Sequence, residues 1–188
     1  MTPDEFTTRQ LKVWKVPKTL QGLNLADLDD AAALPDHAIE AALVGKLPAS
    51  FGLLAVGGDR VIAALLRQTL LAMVATHPRF LDDDRQNHQL LWVSWPVLFG
   101  ELAMADLASD AYKATLTTLD RMQTVKVLVL TGLGDTPERP DRLEAALRGI
   151  LTRRESEGLR TYWSSPLGLL QLRARYGRTG LLPEAAHV

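Results

Sequence analysis

The sequence predicts an α/β domain: a mainly parallel sheet covered by helices on both faces. Three observations predict it. Short apolar runs bounded by Gly or Pro alternate with longer segments of helical periodicity. In Lys126-Val127-Leu128-Val129-Leu130 the four residues after Lys126 are apolar, two of them β-branched, without polar alternation, as a strand buried on both faces must be. Strands separated by helices pair in parallel through crossovers, which place helices above and below the sheet. With 188 residues the chain is long enough for one domain with a substantial core and short for two.

Each element follows in order. Residues 1–15 read as a flexible arm, residues 16–182 as the folded domain and residues 183–188 as a C-terminal tail. Val16 to Asp30 reads as an extended lead-in that ends in acidic, turn-prone residues. Asp36 is a fitting N-cap for a helix over about 37–45, which Gly45 and Pro48 close. Phe51 to Val56 is a buried strand stopped by Gly57-Gly58. From Asp59 to Thr76, Val61, Ile62, Leu65, Leu66, Leu70 and Met73 recur at helical spacing.

Asp82 to Asn87 is a polar loop, and Leu90 to Trp95 a second strand. Pro96 suits the first turn of the helix that runs to about Met104. Asp110 to Gln123 is amphipathic and helical. The strand at 126–130 follows, broken by Thr131-Gly132-Leu133-Gly134-Asp135. Arg139 to Glu157 is a helix with Gly158 at its C-terminal exit. Leu159 to Ser164 is the fourth strand, and Pro166 to Tyr176 a short closing helix.

Composition excludes several classes. Apolar residues make up 47% and charged residues 23%, ordinary for a soluble globular protein. No stretch offers about 18 uninterrupted apolar residues, so no membrane span is expected. Met1-Thr2-Pro3-Asp4-Glu5 has no apolar segment behind it, which argues against a secretory signal and for a cytoplasmic protein. The absence of Cys removes disulfides, thiolate chemistry and Cys-based zinc sites. The net charge of −1 hides an asymmetry: residues 1–120 carry 10 basic and 15 acidic side chains, and residues 121–188 carry 11 and 7. The basic C-terminal part can face phosphates or an acidic partner, or simply solvent.

The order of Val16-Pro17-Lys18, Leu25 to Asp29, Leu91 to Leu98, Val127 to Gly134, Arg142 to Leu159 and Thr161 to Ser165 resembles the ATPase domain of DnaC-type helicase loaders and IstB-type transposition ATPases, both of the AAA+ superfamily. The closest stretch is Val127-Leu128-Val129-Leu130-Thr131-Gly132-Leu133-Gly134. The resemblance covers about Val16 to Leu182. It implies a three-layer αβα, P-loop NTPase-like core, with the superfamily's helical lid absent or vestigial because the chain stops soon after Arg178.

The chain departs from that family where the family handles nucleotide. A P-loop needs G-x-x-x-x-G-K-[ST], so that backbone N–H groups wrap the phosphates, Lys reaches them and a hydroxyl holds Mg²⁺. Here the turn is Val56-Gly57-Gly58-Asp59-Arg60, with Asp59 in the place of Lys and Arg60 in that of Ser or Thr. A carboxylate about 4 Å from a phosphate oxygen costs about 1–4 kcal/mol at effective dielectrics of 80 to 20. Thr131 and Gly132 stand where the resemblance implies the acidic pair that organises Mg²⁺ and water. Asp135, a few residues on, is a weak substitute. Pro166 stands where an Asn senses the γ-phosphate. The expectation is a degenerate nucleotide site made of Gly57, Gly58, Asp59, Arg60, Thr131, Gly132 and Pro166, with no ATPase activity and no cofactor.

Other constellations carry less. His37, His77, His88 and His187 have no i, i+4 pairing with a carboxylate, so no metal site is expected. Asp82-Asp83-Asp84 lacks the pattern of a calcium loop. Ser94, Ser164 and Ser165 lack the G-x-S-x-G setting of a hydrolase nucleophile. Trp92, Trp95 and Trp163 can stack on bases, but core packing is the commoner fate. Arg142, Arg148, Arg153 and Arg154, with Arg175 and Arg178, are the candidates for a nucleic-acid or partner contact.

The resemblance therefore implies a pseudo-ATPase of the helicase-loader class. It would act as an adaptor or regulator in a DNA replication, recombination or transposition assembly, without the family's separate helicase-docking segment. Its partners would be a helicase, a transposase or an ATPase subunit, with single-stranded DNA as a further ligand, in a homo- or hetero-oligomer. Two alternatives stand beside it. One is a stand-alone single-stranded nucleic-acid binder that uses the basic C-terminal face. The other is a structural subunit that partners an active ATPase.

Overall fold

The computed structural model describes residues 1–28, 34–54, 56–77, 89–104, 109–135 and 141–176, with only the backbone for 141–143. Four strands form one sheet: β1 (Phe51–Leu53), β2 (Leu90–Ser94), β3 (Val127–Thr131) and β4 (Arg160–Ser164). Their spatial order is β1-β4-β3-β2, and every pairing is parallel. The apolar run at 127–130 thus lies inside the sheet, as its composition requires, and every residue of β3 is buried.

The helices are α1 (Pro3–Val13), α2 (Asp36–Leu43), α3 (Gly58–Thr76), α4 (Trp95–Met104), α5 (Asp110–Thr124), α6 (Asp141–Ser156) and α7 (Leu169–Tyr176). Alternation along the strands divides them into two layers. Phe51, Leu53, Leu90, Trp92, Val127, Val129 and Tyr162 face one core, shared with α1, α2 and α3. Leu91, Val93, Leu128, Leu130 and Trp163 face the other, shared with α4, α5, α6 and α7. The architecture is a three-layer αβα sandwich.

The N-terminal arm expected to be flexible is instead a docked helix. Thr2 accepts a hydrogen bond from the Glu5 N–H at 3.2 Å, while the Glu5 carboxylate accepts one from the Thr2 N–H at 2.7 Å. This reciprocal cap sits ahead of Pro3 in the first turn. Phe6 and Leu11 are fully buried against α3 and the sheet. Arg67 of α3 ties the layer together, pairing with Asp4 at 2.5 Å and with the Asn24 side chain. The Trp14 carbonyl accepts from the N–H of Trp92, so the chain after α1 covers the outer edge of β2. A single buried face three to four residues wide is hard to tell from an arm in a polar segment, and the capping box was its legible signal.

Other elements shift by a few residues. The expected strand to Val56 stops at Leu53, and the lead-in over Val16 to Asp30 contains two 3₁₀ turns, Lys18–Leu20 and Leu25–Asp27. Gly45 and Gly158 close α2 and α6 at φ +70° and +64°. The loop at 82–87, His88, His187, Arg178 and the tail at 183–188 lie outside the described residues, as does the side chain of Arg142. Among the described residues no helix is long and apolar enough to cross a membrane.

Candidate functional site

In an all-parallel sheet every strand ends on the same edge, and open sheets of this kind bind ligands outside those ends. The last residues of β2, β3 and β4 are Ser94, Thr131 and Ser164. Ser94 is in register with Thr131, and Leu53, the last residue of β1, with Ser164. Three adjacent strands thus finish in a row of hydroxyls. Thr131 and Ser164 are 6% and 4% exposed, and none of the three hydroxyls has a hydrogen-bond partner among the described residues.

Two turns build walls around this row. Only residues 54–57 separate β1 from α3. Gly57 takes φ +81°, open to glycine at little cost, and turns the chain directly into the helix. Gly58 then packs flat on the strand ends: a Cβ there would lie 3.0 Å from that of Ser164 and 3.2 Å from that of Leu53. On the other side, Gly132 takes φ +72°, and a Cβ would lie 2.8 Å from Cδ of Pro96 at the start of α4. The Leu133 N–H donates to the Ser164 carbonyl at 3.0 Å. The Ser165 hydroxyl donates to the Leu133 carbonyl at 2.5 Å and accepts from the Leu167 N–H at 3.0 Å. Ser165 is therefore spent on holding the wall.

The result is a cleft of about 240 Å³ at the carboxyl edge of the sheet. It gathers Gly57, Gly58, Asp59, Thr131, Gly132 and Pro166 from three separate stretches of sequence, together with Val56, Ser94, Pro96, Asp135, Ser164 and Ser165. Arg60 does not line it and is exposed on α3. No Lys, Arg or His lines the cleft among the described residues, whereas two carboxylates do, Asp59 and Asp135. Asp59 lies in the first turn of α3, where the positive end of the helix dipole is matched by this carboxylate of the chain itself. Among the described residues no group of three or more His, Asp or Glu is placed to hold a metal ion.

Among the described residues the candidate arginines do not form one face. Arg154 is fully buried. Its Nε donates to the Thr161 hydroxyl at 2.9 Å, Nη1 to the carbonyls of Met122 and Val125 at 2.8 and 2.7 Å, and Nη2 to that of Arg160 at 2.5 Å. Burial lowers its pKa to about 10, with Glu157 opposing the shift. It joins the C-terminal end of α5 to the start of β4 and is no contact for DNA. Arg175 is half-buried, pairing with Glu144 and donating to the Gly134 carbonyl, both at 2.9 Å. Arg153 is exposed and pairs with Glu157 at 2.8 Å and Gln123 at 3.1 Å, and Arg148 is exposed. Trp92, Trp95 and Trp163 are buried in the core and offer no face for stacking on bases.

Ser94 and Ser164 line the cleft although their local sequence marks neither as a site residue, and Asp135, the weak substitute for the acidic pair, lines it too. Each of these serines ends its strand, and that shared position is the signal in the sequence that points to the cleft. Asp135 reaches the cleft because the glycine turn after β3 folds back toward α4, which no local pattern announces.

No protein-family model matches this chain, and no curated protein matches it. Among solved structures it is similar to DnaI, with 22% identity, 89% of this chain and 83% of that one covered, and a TM-score of 0.58. It is also similar to a Streptococcus pyogenes serotype M3 protein assigned as a primosome component, with 17% identity, 93% and 90% covered, and a TM-score of 0.54. These likenesses show that the chain shares the fold of both.

Proposed function

We propose that the chain is a non-catalytic domain of the helicase-loader kind, an adaptor or regulator within a DNA replication, recombination or transposition assembly. Its shared fold with DnaI and with a protein assigned to a primosome supports the replication setting. One observation carries the non-catalytic part. The cleft that in a P-loop enzyme would cradle a triphosphate is entered by a turn of four residues and is lined by Asp59 and Asp135 and by no cation among the described residues. Each carboxylate within about 4 Å of a phosphate oxygen would oppose binding by about 1–4 kcal/mol. The attraction of a lysine is lost as well. Thr131 and Pro166 line the same cleft and supply neither the acidic pair nor the amide of the family's pattern. With chemistry gone, the doubly covered sheet remains a rigid platform for recognition by its surface loops.

Isothermal titration of the full chain with MgATP tests this reading. No heat beyond dilution is expected at micromolar protein, and micromolar affinity refutes it. Co-purification with a replicative helicase, a transposase or an intact ATPase subunit would identify the assembly. For the stand-alone nucleic-acid reading, Arg148 and Arg153 remain exposed candidates, whereas Arg154 is committed to backbone carbonyls and Arg175 to Glu144.

A further inference from the structure

We propose that the cleft is a receptor for a guanidinium group, the side chain of an arginine presented by a protein partner. This rests on the reading of the cleft as one that has given up nucleotide. The lining supports it in two independent ways. Asp59 and Asp135 place negative charge at the cleft with no cation among the described lining residues to neutralise it. Separately, Thr131 and Ser164 are more than nine-tenths buried, line the same cleft, and keep hydroxyls without a partner among the described residues. Neither hydroxyl is among the sealed side-chain atoms that lack a partner, so both open to the cleft, where a ligand can complete them.

The chemistry of that ligand follows from the acceptors. Carboxylates accept only, and hydroxyls accept as readily as they donate, so the ligand must bring several donors and positive charge. Ser94, Thr131 and Ser164 end three neighbouring strands, whose backbones lie about 4.8 Å apart, so their hydroxyls stand side by side at the cleft. A planar fork with five N–H groups matches a row of acceptors better than a compact ammonium does. The positive end of α3 would oppose a cation, but Asp59 sits in that first turn and offsets it. About 240 Å³ accommodates a side chain and excludes a folded segment.

The test is a titration of the ¹⁵N-labelled full chain, read by amide chemical shifts, with N-acetyl-arginine amide, the matching lysine compound, free L-arginine and MgATP. The capped arginine is expected to shift the amides of Asp59, Thr131 and Ser164 saturably and more tightly than the lysine compound. Asp59→Asn and Asp135→Asn should each weaken it by about fivefold or more, the effect of one unit charge about 4 Å away in a water-filled cleft. Thr131→Val, nearly isosteric, should weaken it too and serves if either Asp variant is unstable. No saturable shift, equal binding of the lysine compound, or variants that bind as the parent does would overturn the proposal while the non-catalytic reading stands. Tighter binding of free L-arginine than of the capped form would mean a metabolite and would overturn the partner side chain. Saturable shifts with MgATP at these amides would overturn both readings.

Discussion

Replacing Arg154 by Ala should cost about 3–5 kcal/mol of folding stability, a large part of the 5–15 kcal/mol that a domain commonly has. The side chain makes four hydrogen bonds, three of them to backbone carbonyls, those of Met122, Val125 and Arg160. Truncation strands these acceptors where the neighbouring strand and helix leave little room for water. Each stranded acceptor costs about 1–3 kcal/mol. Removing the cation returns the hydration free energy whose loss brings its pKa down to about 10, about 3 kcal/mol, so the two effects partly cancel. The lost packing of the aliphatic stem adds to the deficit. Urea denaturation followed by fluorescence of the buried tryptophans would measure it. The control is Arg153→Ala, one residue away on the exposed side of α6, where a surface pair contributes about 0–1 kcal/mol. If the Arg154 variant loses no more than the Arg153 variant, Arg154 is not the tie described, and the guanidinium must be free for another role.

Three further outcomes follow from the packing. Phe6→Ala should destabilise the whole domain by about 3–5 kcal/mol in the same urea experiment, because Phe6 is fully buried in the core shared with α3; a loss under about 1 kcal/mol would restore the N-terminal segment to an arm. Gly52→Ala should sharply lower the yield of folded protein, since its Cβ would lie 2.0 Å from the Trp163 ring across the β1–β4 pair; a normal thermal melt would contradict that approach. Protection of the first α1 amides against hydrogen exchange, measured relative to the intrinsic rate at each pH, should fall on acidification. The bonds from the Thr2 N–H and hydroxyl hold the Glu5 carboxyl below its ordinary 4.5. Its contribution is therefore complete above 4.5 and is lost as pH falls through the lowered value. In Glu5→Gln that acid-dependent component should vanish, and an unchanged pH profile would show the cap to be idle.

Much of the scaffold was legible because it depends on local pattern. The unbroken apolar run at 127–130 could only be an interior strand, and Val61, Ile62, Leu65 and Leu66 could only be the buried stripe of a helix against it. The glycines at 57, 132 and 158 marked turns, since each adopts a left-handed φ that other residues resist. Most of the cleft was legible too: Gly57, Gly58, Asp59, Thr131, Gly132 and Pro166 were singled out one by one, and they meet at one edge of the sheet.

Arginine was the residue type that the sequence could not place. Arg153 and Arg154 are neighbours of identical chemistry, yet the 100° step between them along α6 puts one in solvent and the other beneath β4. Likewise Ser164 and Ser165 differ only in which way the strand end turns them, one to the cleft and one to the Leu133 carbonyl. Periodicity and turn chemistry act between residues a few positions apart and are written in the order of the chain. The fate of Arg154 and Ser165 also depends on groups far along the chain, the Met122 and Leu133 carbonyls, each 32 residues away, and only the closed fold brings those together.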